Sequence, residues 1–555
     1  MNSAHDTCSR RAFGASVGAA LAAPALVGTR QAAAAEQVTI ATEAGRLRGL
    51  RDSRAVTFKG IPYARDTGGR RRFQAPSPVE GWKGVRDAFV LGDQCPQSME
   101  RMPPMPVFSW LGGDRSPFSE NCCVLNVYAP DLETGARRPV MFYMHGGGYT
   151  SGSGGESILD GSNLARFGDV VVVTVNHRLN AFGYTYLGAF DPDFSDAGNA
   201  GQLDLVLALR WVKNNIAAFG GDPGNVTIFG QSGGGGKVMA LMGMPQAQGL
   251  FHRAINMSGP WHDLPAAHTV NYTDEIFKAL GFARGELLKL QEVPADVLLR
   301  ARAKAVMTFG LDAARPVIDG RHIPAAIMSP QGLALHASVP LLMGSVNTEA
   351  TIYFRRDMRN FKVSAQQVRA RISAQYGLDD GEAQAIVDAY LRDEPGATPP
   401  QVLAAFASDV RFRAPMIRAV EPKADSGKAP VYFYNFAWRV PVDGGIWGSP
   451  HTVDIPFAFA NVDKATAMTG GNPDAVEVSR NVASAFIAFA RTGNPNNPRM
   501  PQWKPYDSAR RTSMVVDVQC RSADDYHGAG RVASLRLPVL DGPTLNRGPL
   551  YNYAE

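Results

Sequence analysis

The run Val226-Thr-Ile-Phe-Gly-Gln-Ser-Gly-Gly-Gly-Gly236 sets the strongest constraint on what this chain can fold into. Val226 to Phe229 is short, apolar and rich in β-formers, and it reads as a buried parallel strand. It breaks at Gly230-Gln231-Ser232-Gly233-Gly234, and Val238-Met-Ala-Leu-Met242 beyond reads as a helix. A serine on so sharp a strand-to-helix turn takes a strained backbone, so the residues two before and two after it must lack a Cβ. The turn lifts the Ser232 hydroxyl clear of the sheet and aims the Gly233 N–H at a point where negative charge can develop. A phosphate loop also follows a strand, and Gly236-Lys237 invites that reading. Such a loop needs glycine at 231 and Ser or Thr at 238; the chain has Gln231 and Val238. The register fails.

The surrounding pattern is that of a doubly wound α/β sheet. Val140 to Met144, Val170 to Val175, Val339 to Met343 and Val431 to Phe436 are further strands, continuous in apolar character and so buried on both faces. Gln202 to Phe219 is amphipathic at helical spacing and stops at Gly220-Gly221. Asp474 is read as the cap of a helix to Arg491, ended by Gly493. Val38 to Ile40 and Gly45 to Leu50 open the chain as an antiparallel ribbon. Residues 96–121, with five prolines, read as an irregular loop. Residues 264–315 and 355–420 read as helical insertions over the carboxyl edge of the sheet, where such sheets bind ligands.

A serine nucleophile needs a base, an acid that orients the base, and an oxyanion hole. The strand Val140 to Met144 ends in His145-Gly146-Gly147-Gly148-Tyr149, and consecutive glycines let backbone N–H groups face a substrate oxygen unobstructed. Gly147 and Gly148 are therefore expected to join Gly233 as donors, with His145 holding the loop. Where chain order runs nucleophile, acid, histidine, Glu349 follows the strand Val339 to Met343. Asp319, in Val317-Ile-Asp-Gly320, has the look of a turn aspartate. Only His451 and His527 come after Glu349. His451 follows the strand Val431 to Phe436, whereas His527 lies in a polar segment read as a surface loop.

Composition adds boundaries. With 45% hydrophobic and 19% charged residues, the chain has material for one large core, expected over residues 36–555. Ser9-Arg10-Arg11-Ala12-Phe13, an uncharged Ala/Gly-rich run and Ala33-Ala34-Ala35 resemble a twin-arginine signal peptide over residues 1–35, which predicts a periplasmic or secreted protein. The run is too short and alanine-rich for a membrane anchor. Removing residues 1–35 takes three arginines and one aspartate, so the net charge goes from +5 to 5 − 2 = +3, too weak a balance for nucleic acid binding. Of five cysteines, Cys8 leaves with the leader, and Cys95 with Cys122 or Cys123 would close a short loop. No spacing points to a metal, and the chemistry calls for no cofactor.

Together these motifs resemble the type B carboxylesterase family, which includes the cholinesterases. Lys59-Gly-Ile-Pro-Tyr-Ala64, Cys95-Pro-Gln97, Glu120-Asn-Cys-Cys-Val-Leu-Asn126, His145-Gly-Gly-Gly148, Ala200-Gly-Gln-Leu-Asp204, Phe219-Gly-Gly-Asp-Pro223 and Phe489-Ala-Arg-Thr-Gly493 carry the likeness from about residue 38 to 506. The resemblance implies an α/β-hydrolase fold, a Ser232–Glu349–His451 triad, an oxyanion hole of Gly147, Gly148 and Gly233, and a Cys95–Cys122 disulfide. It implies hydrolysis of small-molecule esters. A carbamate or amide hydrolase, and a non-catalytic binding protein on the same fold, are the alternatives. The elbow departs from the animal enzymes, which commonly carry Glu and Ala around the serine, and Ala350 stands where a glycine is usual. Trp110 lies in the loop where cholinesterases place a cation platform, but at another offset, and is read as loop packing.

Overall fold

Successive side chains of a strand point to opposite faces of a sheet, so a strand buried on both sides must feed two cores. The central strands do this. Val140, Phe142 and Met144 enter one apolar cluster, while Met141 and Tyr143 enter the other. The computed structural model describes residues 35–98, 105–133, 135–310, 313–540, 544–545 and 548–552. The expected signal peptide falls on residues 1–34, outside them, and on Ala35 at their edge. Residues Glu36–Glu555 make one compact unit.

One sheet holds thirteen strands. In chain order they are β1 (Glu36–Thr42), β2 (Gly45–Arg51), β3 (Val56–Pro62), β4 (Val85–Asp87), β5 (Val124–Ala129), β6 (Arg138–Met144), β7 (Val171–Val175), β8 (Gly221–Gln231), β9 (Arg253–Met257), β10 (Leu341–Val346), β11 (Val431–Phe436), β12 (Ser513–Val516) and β13 (Arg521–Ala523). Their spatial order is β1-β2-β3-β5-β7-β6-β8-β9-β10-β11-β12-β13, with β4 beside β2. From β7 to β12 every pairing is parallel. The edges are antiparallel ribbons. The chain leaving β6 goes to β7 on one side, while the chain leaving β8 goes to β9 on the other. Their shared carboxyl end is the switch point where open α/β sheets take their ligands.

The expected strands are present, and the helix expected over Gln202 to Phe219 is an α-helix, Ala200–Asn215, closed by a 3-10 turn, Ile216–Phe219. Four internal strands, β3, β5, β9 and β12, come in addition to those the sequence predicts, as do the peripheral β4 and β13. The helix Pro473–Thr492 is capped by Asn472, whose side chain accepts the Asp474 N–H, so Asp474 sits in the first turn and is not the cap. The insertions expected over 264–315 and 355–420 are mostly helical, with helices Val270–Leu280, Leu287–Glu292 and Ala295–Phe309 in the first and Ala365–Tyr376, Asp380–Asp393, Pro399–Ser408 and Ala414–Asp425 in the second. Among the described residues no helix is long and apolar enough to cross a membrane. The implied Cys95–Cys122 bridge is not formed. Cys95, Cys122 and Cys123 are free, buried thiols, and the Cys95 sulfur accepts the Leu179 N–H at 3.2 Å.

Candidate active site

Ser232 stands between β8 and the helix Gly233–Met242 with φ 58° and ψ −123°, a region that side chains other than glycine rarely occupy. The glycines around it are required by contact. A Cβ on Gly230 would lie 2.5 Å from the Gly234 carbonyl carbon, and one on Gly234 would lie 2.1 Å from the Met144 oxygen. The elbow is pinned to the sheet by the Ser232 N–H, which donates to the Met257 carbonyl at 2.8 Å. Ser232 itself is half-buried.

The loop after β6 lies against this turn. Gly147 and Gly148 take φ values of 83° and 63°, and a Cβ on Gly233 would meet the Gly148 carbonyl oxygen at 2.2 Å. The N–H groups of Gly147, Gly148 and Gly233 donate to no protein acceptor among the described residues. Donors left free beside a nucleophilic hydroxyl are what an oxyanion hole needs. His145 is buried behind the loop, with Nδ1 2.9 Å from the Gly146 oxygen. Burial, then the Lys237 charge, holds its pKa well below the ordinary value. It is therefore a neutral structural ring, as expected.

The acid and the base come from the two strands on the far side of β9. Glu349, fully buried, sits on the turn after β10, and its Oε1 accepts the Val346 N–H at 3.0 Å. Its Oε2 is 2.5 Å from Nδ1 of His451. An imidazole held at Nδ1 by a carboxylate keeps Nε2 free to take a proton. His451 is 4% exposed. The Phe412 ring lies 4.6 Å from it and the Tyr353 ring 6.1 Å away. Phe412 reaches the imidazole from a π-helical turn, Asp409–Arg413, the kind of helix defect that re-aims a side chain.

The third contact is open. Ser232 Oγ makes no hydrogen bond to His451 among the described residues. Instead the amide of Gln231, next to the serine, lies 3.5 Å from Nδ1 and 3.4 Å from Nε2 of the imidazole. That places the base beside the elbow, and such contacts commonly tighten only once substrate is bound.

Two further buried groups belong to this setting, and the sequence alone does not single them out. Asp454, three residues after His451, is buried, and it accepts the Tyr434 hydroxyl at 2.9 Å. Burial first, and the Glu349 charge second, push its pKa up to about 7. Lys237 is fully buried below the glycine loop, and burial lowers its pKa to about 7. In the sequence its only signal is the Gly-Lys pair of a phosphate loop that fails in register. The competitors lie elsewhere. Asp319 accepts the N–H groups of Arg321, His322 and Ile323 as a turn aspartate. His527 stacks on Tyr526 at 3.9 Å; it is half-buried and not a free surface residue. Trp110 is buried in the apolar cluster that holds Phe108 and Trp447.

Residues 35–533 match the model of the Carboxylesterase family. Para-nitrobenzyl esterase of Bacillus subtilis is 34% identical over 493 residues, covering 88% of this chain and 96% of that protein. Human Carboxylesterase 3 is 33% identical, with 85% and 86% covered. Among solved structures, Geobacillus stearothermophilus carboxylesterase EST55 superposes with a TM-score of 0.76 at 34% identity, covering 89% of this chain and 99% of that one.

Proposed function

The chain belongs to the Carboxylesterase family, and from that membership we propose that it hydrolyses small-molecule carboxylic esters through an acyl-enzyme on Ser232. It is a serine ester hydrolase by family; the residue roles and the substrate are our reading. Ser232 attacks the ester carbonyl while His451 Nε2 takes its proton. Glu349 fixes the tautomer and stabilises the imidazolium. The N–H groups of Gly147, Gly148 and Gly233 hold the oxyanion. His451 then protonates the departing alcohol, and water, activated in the same way, releases the acid.

The observation that carries this reading is the buried Glu349–His451 contact of 2.5 Å beside a serine held at φ 58°. Ser232→Ala should lower kcat on p-nitrophenyl acetate by about 10⁵ or more. A variant that keeps its rate would remove Ser232 from the chemistry. Covalent labelling by an organophosphate separates the esterase from a binding protein on the same fold.

The leader-like residues 1–35 support export to the periplasm or medium. Pairing of Cys95 with Cys122 would belong to that oxidising compartment. The mass of the protein recovered outside the cytoplasm, before and after reduction, reads both.

A further inference from the structure

One buried cation lies against the glycine loop with no part in the acyl transfer itself. Lys237 is on the elbow helix, five residues past Ser232, and is fully buried. Its Nζ donates to the His145 carbonyl at 2.9 Å and lies 5.7 Å from the centre of the Tyr149 ring. The groups facing it are the neutral imidazoles of His145 and His177, whose protonation its charge opposes, and the Tyr149 ring. Gln202, from the helix Ala200–Asn215, donates to its backbone carbonyl. No carboxylate pairs with it among the described residues.

The loop needs such a tie. Helix and loop meet backbone to backbone, with no side chain between Gly233 and Gly148 or between Gly234 and Met144, and one turn further along the helix the Tyr149 hydroxyl lies against Gly236. The far half of the loop is held from outside: Asn180 donates to the Tyr149 and Thr150 carbonyls, and Gln97 grips Gly152 from both sides. The near half, at His145, is held to the elbow helix by Lys237. We propose that Lys237 is a positioning residue for the oxyanion hole: donating to the His145 carbonyl, its Nζ keeps the N–H groups of Gly147 and Gly148 in register with that of Gly233. A methionine of similar length would fill the space without burying a charge. What methionine cannot supply is the hydrogen bond to the His145 carbonyl.

The inference rests on Ser232 as nucleophile, and Lys237→Met tests it apart from that reading. Expected is a kcat on p-nitrophenyl acetate lower by about 10- to 100-fold, below the full loss of one oxyanion donor, with KM nearly unchanged. Affinity for an aryl trifluoromethyl ketone, which adds to the serine and places an oxyanion in the hole, should fall by the same factor. Meanwhile Tm should hold or rise, and rise more at pH 6 than at pH 9. Below pH 7 the wild-type lysine is buried charged; above it the folded protein sheds that proton, relieving the penalty. Wild-type kcat and ketone affinity in the variant would overturn the proposal. So would failure to fold, or a kcat loss matched by a lower Tm, since either marks a tie of the fold alone. A wild-type protein that does not bind the ketone would instead overturn the role of Ser232.

Discussion

At the scale of the residue, Gly233 shows how closely the nucleophile and its hole are built. The animal enzymes of the family commonly carry alanine after the serine. Here the methyl of Gly233→Ala would lie 2.2 Å from the Gly148 oxygen and 2.4 Å from the Gly148 Cα. These are backbone atoms and cannot swing away. The loop must back off, taking the Gly147 and Gly148 donors from the reacting oxygen. Gly233→Ala should therefore lower kcat by about 10²–10³ with little effect on KM. A clash with backbone also strains the fold, so a lower Tm, reflecting about 1–3 kcal/mol of overpacking, should accompany it. Steady-state kinetics beside a thermal melt checks both, and an unchanged kcat would mean that the loop does not supply the donors.

At the scale of the element, the site is more legible in the sequence than the sheet. Ser232, Glu349 and His451 each follow a strand whose apolar run is plain, and the glycines mark both turns. Strands β5, β9 and β12 are hidden for physical reasons. Asn126 and Asn256 break the apolar runs of the first two, yet both are buried and satisfied, Asn126 by Thr174 and the Gly60 N–H, Asn256 by Gly259. β12 is only four residues long. An isolated glycine suggests that β10 ends at Gly344, but the strand continues to Val346. Glycine is there for its neighbour: a Cβ would sit 2.1 Å from Cδ1 of Tyr434 on β11. Gly344→Ala must displace that ring or part the two strands. Overpacking of this kind typically costs about 1–3 kcal/mol, which a lower denaturant midpoint would register. A midpoint equal to wild type would show that the ring has room to turn.

For the whole molecule, Tyr434 links this packing to the response of stability to pH. Its hydroxyl donates to Asp454, whose other oxygen is buried without a partner among the described residues. Asp454 is buried beside a small cavity lined by Tyr434, Phe486 and Trp503, and unfolding delivers it to water. A carboxyl raised to about 7 in the folded protein but near the ordinary carboxylate value when unfolded binds more protons folded than unfolded between those values. Its contribution is then fully present below the unfolded pKa and is lost as pH rises through about 7. Asp454→Asn keeps the shape of the neutral acid and cannot ionise. The variant should melt with the wild type near pH 4, gain on it progressively through pH 5 and 6, and hold a constant lead above pH 7. A carboxyl displaced that far from its ordinary value implies a lead on the order of a few kcal/mol. Melts of both proteins across that range would decide it, since a difference flat with pH would mean that Asp454 is already charged in the core.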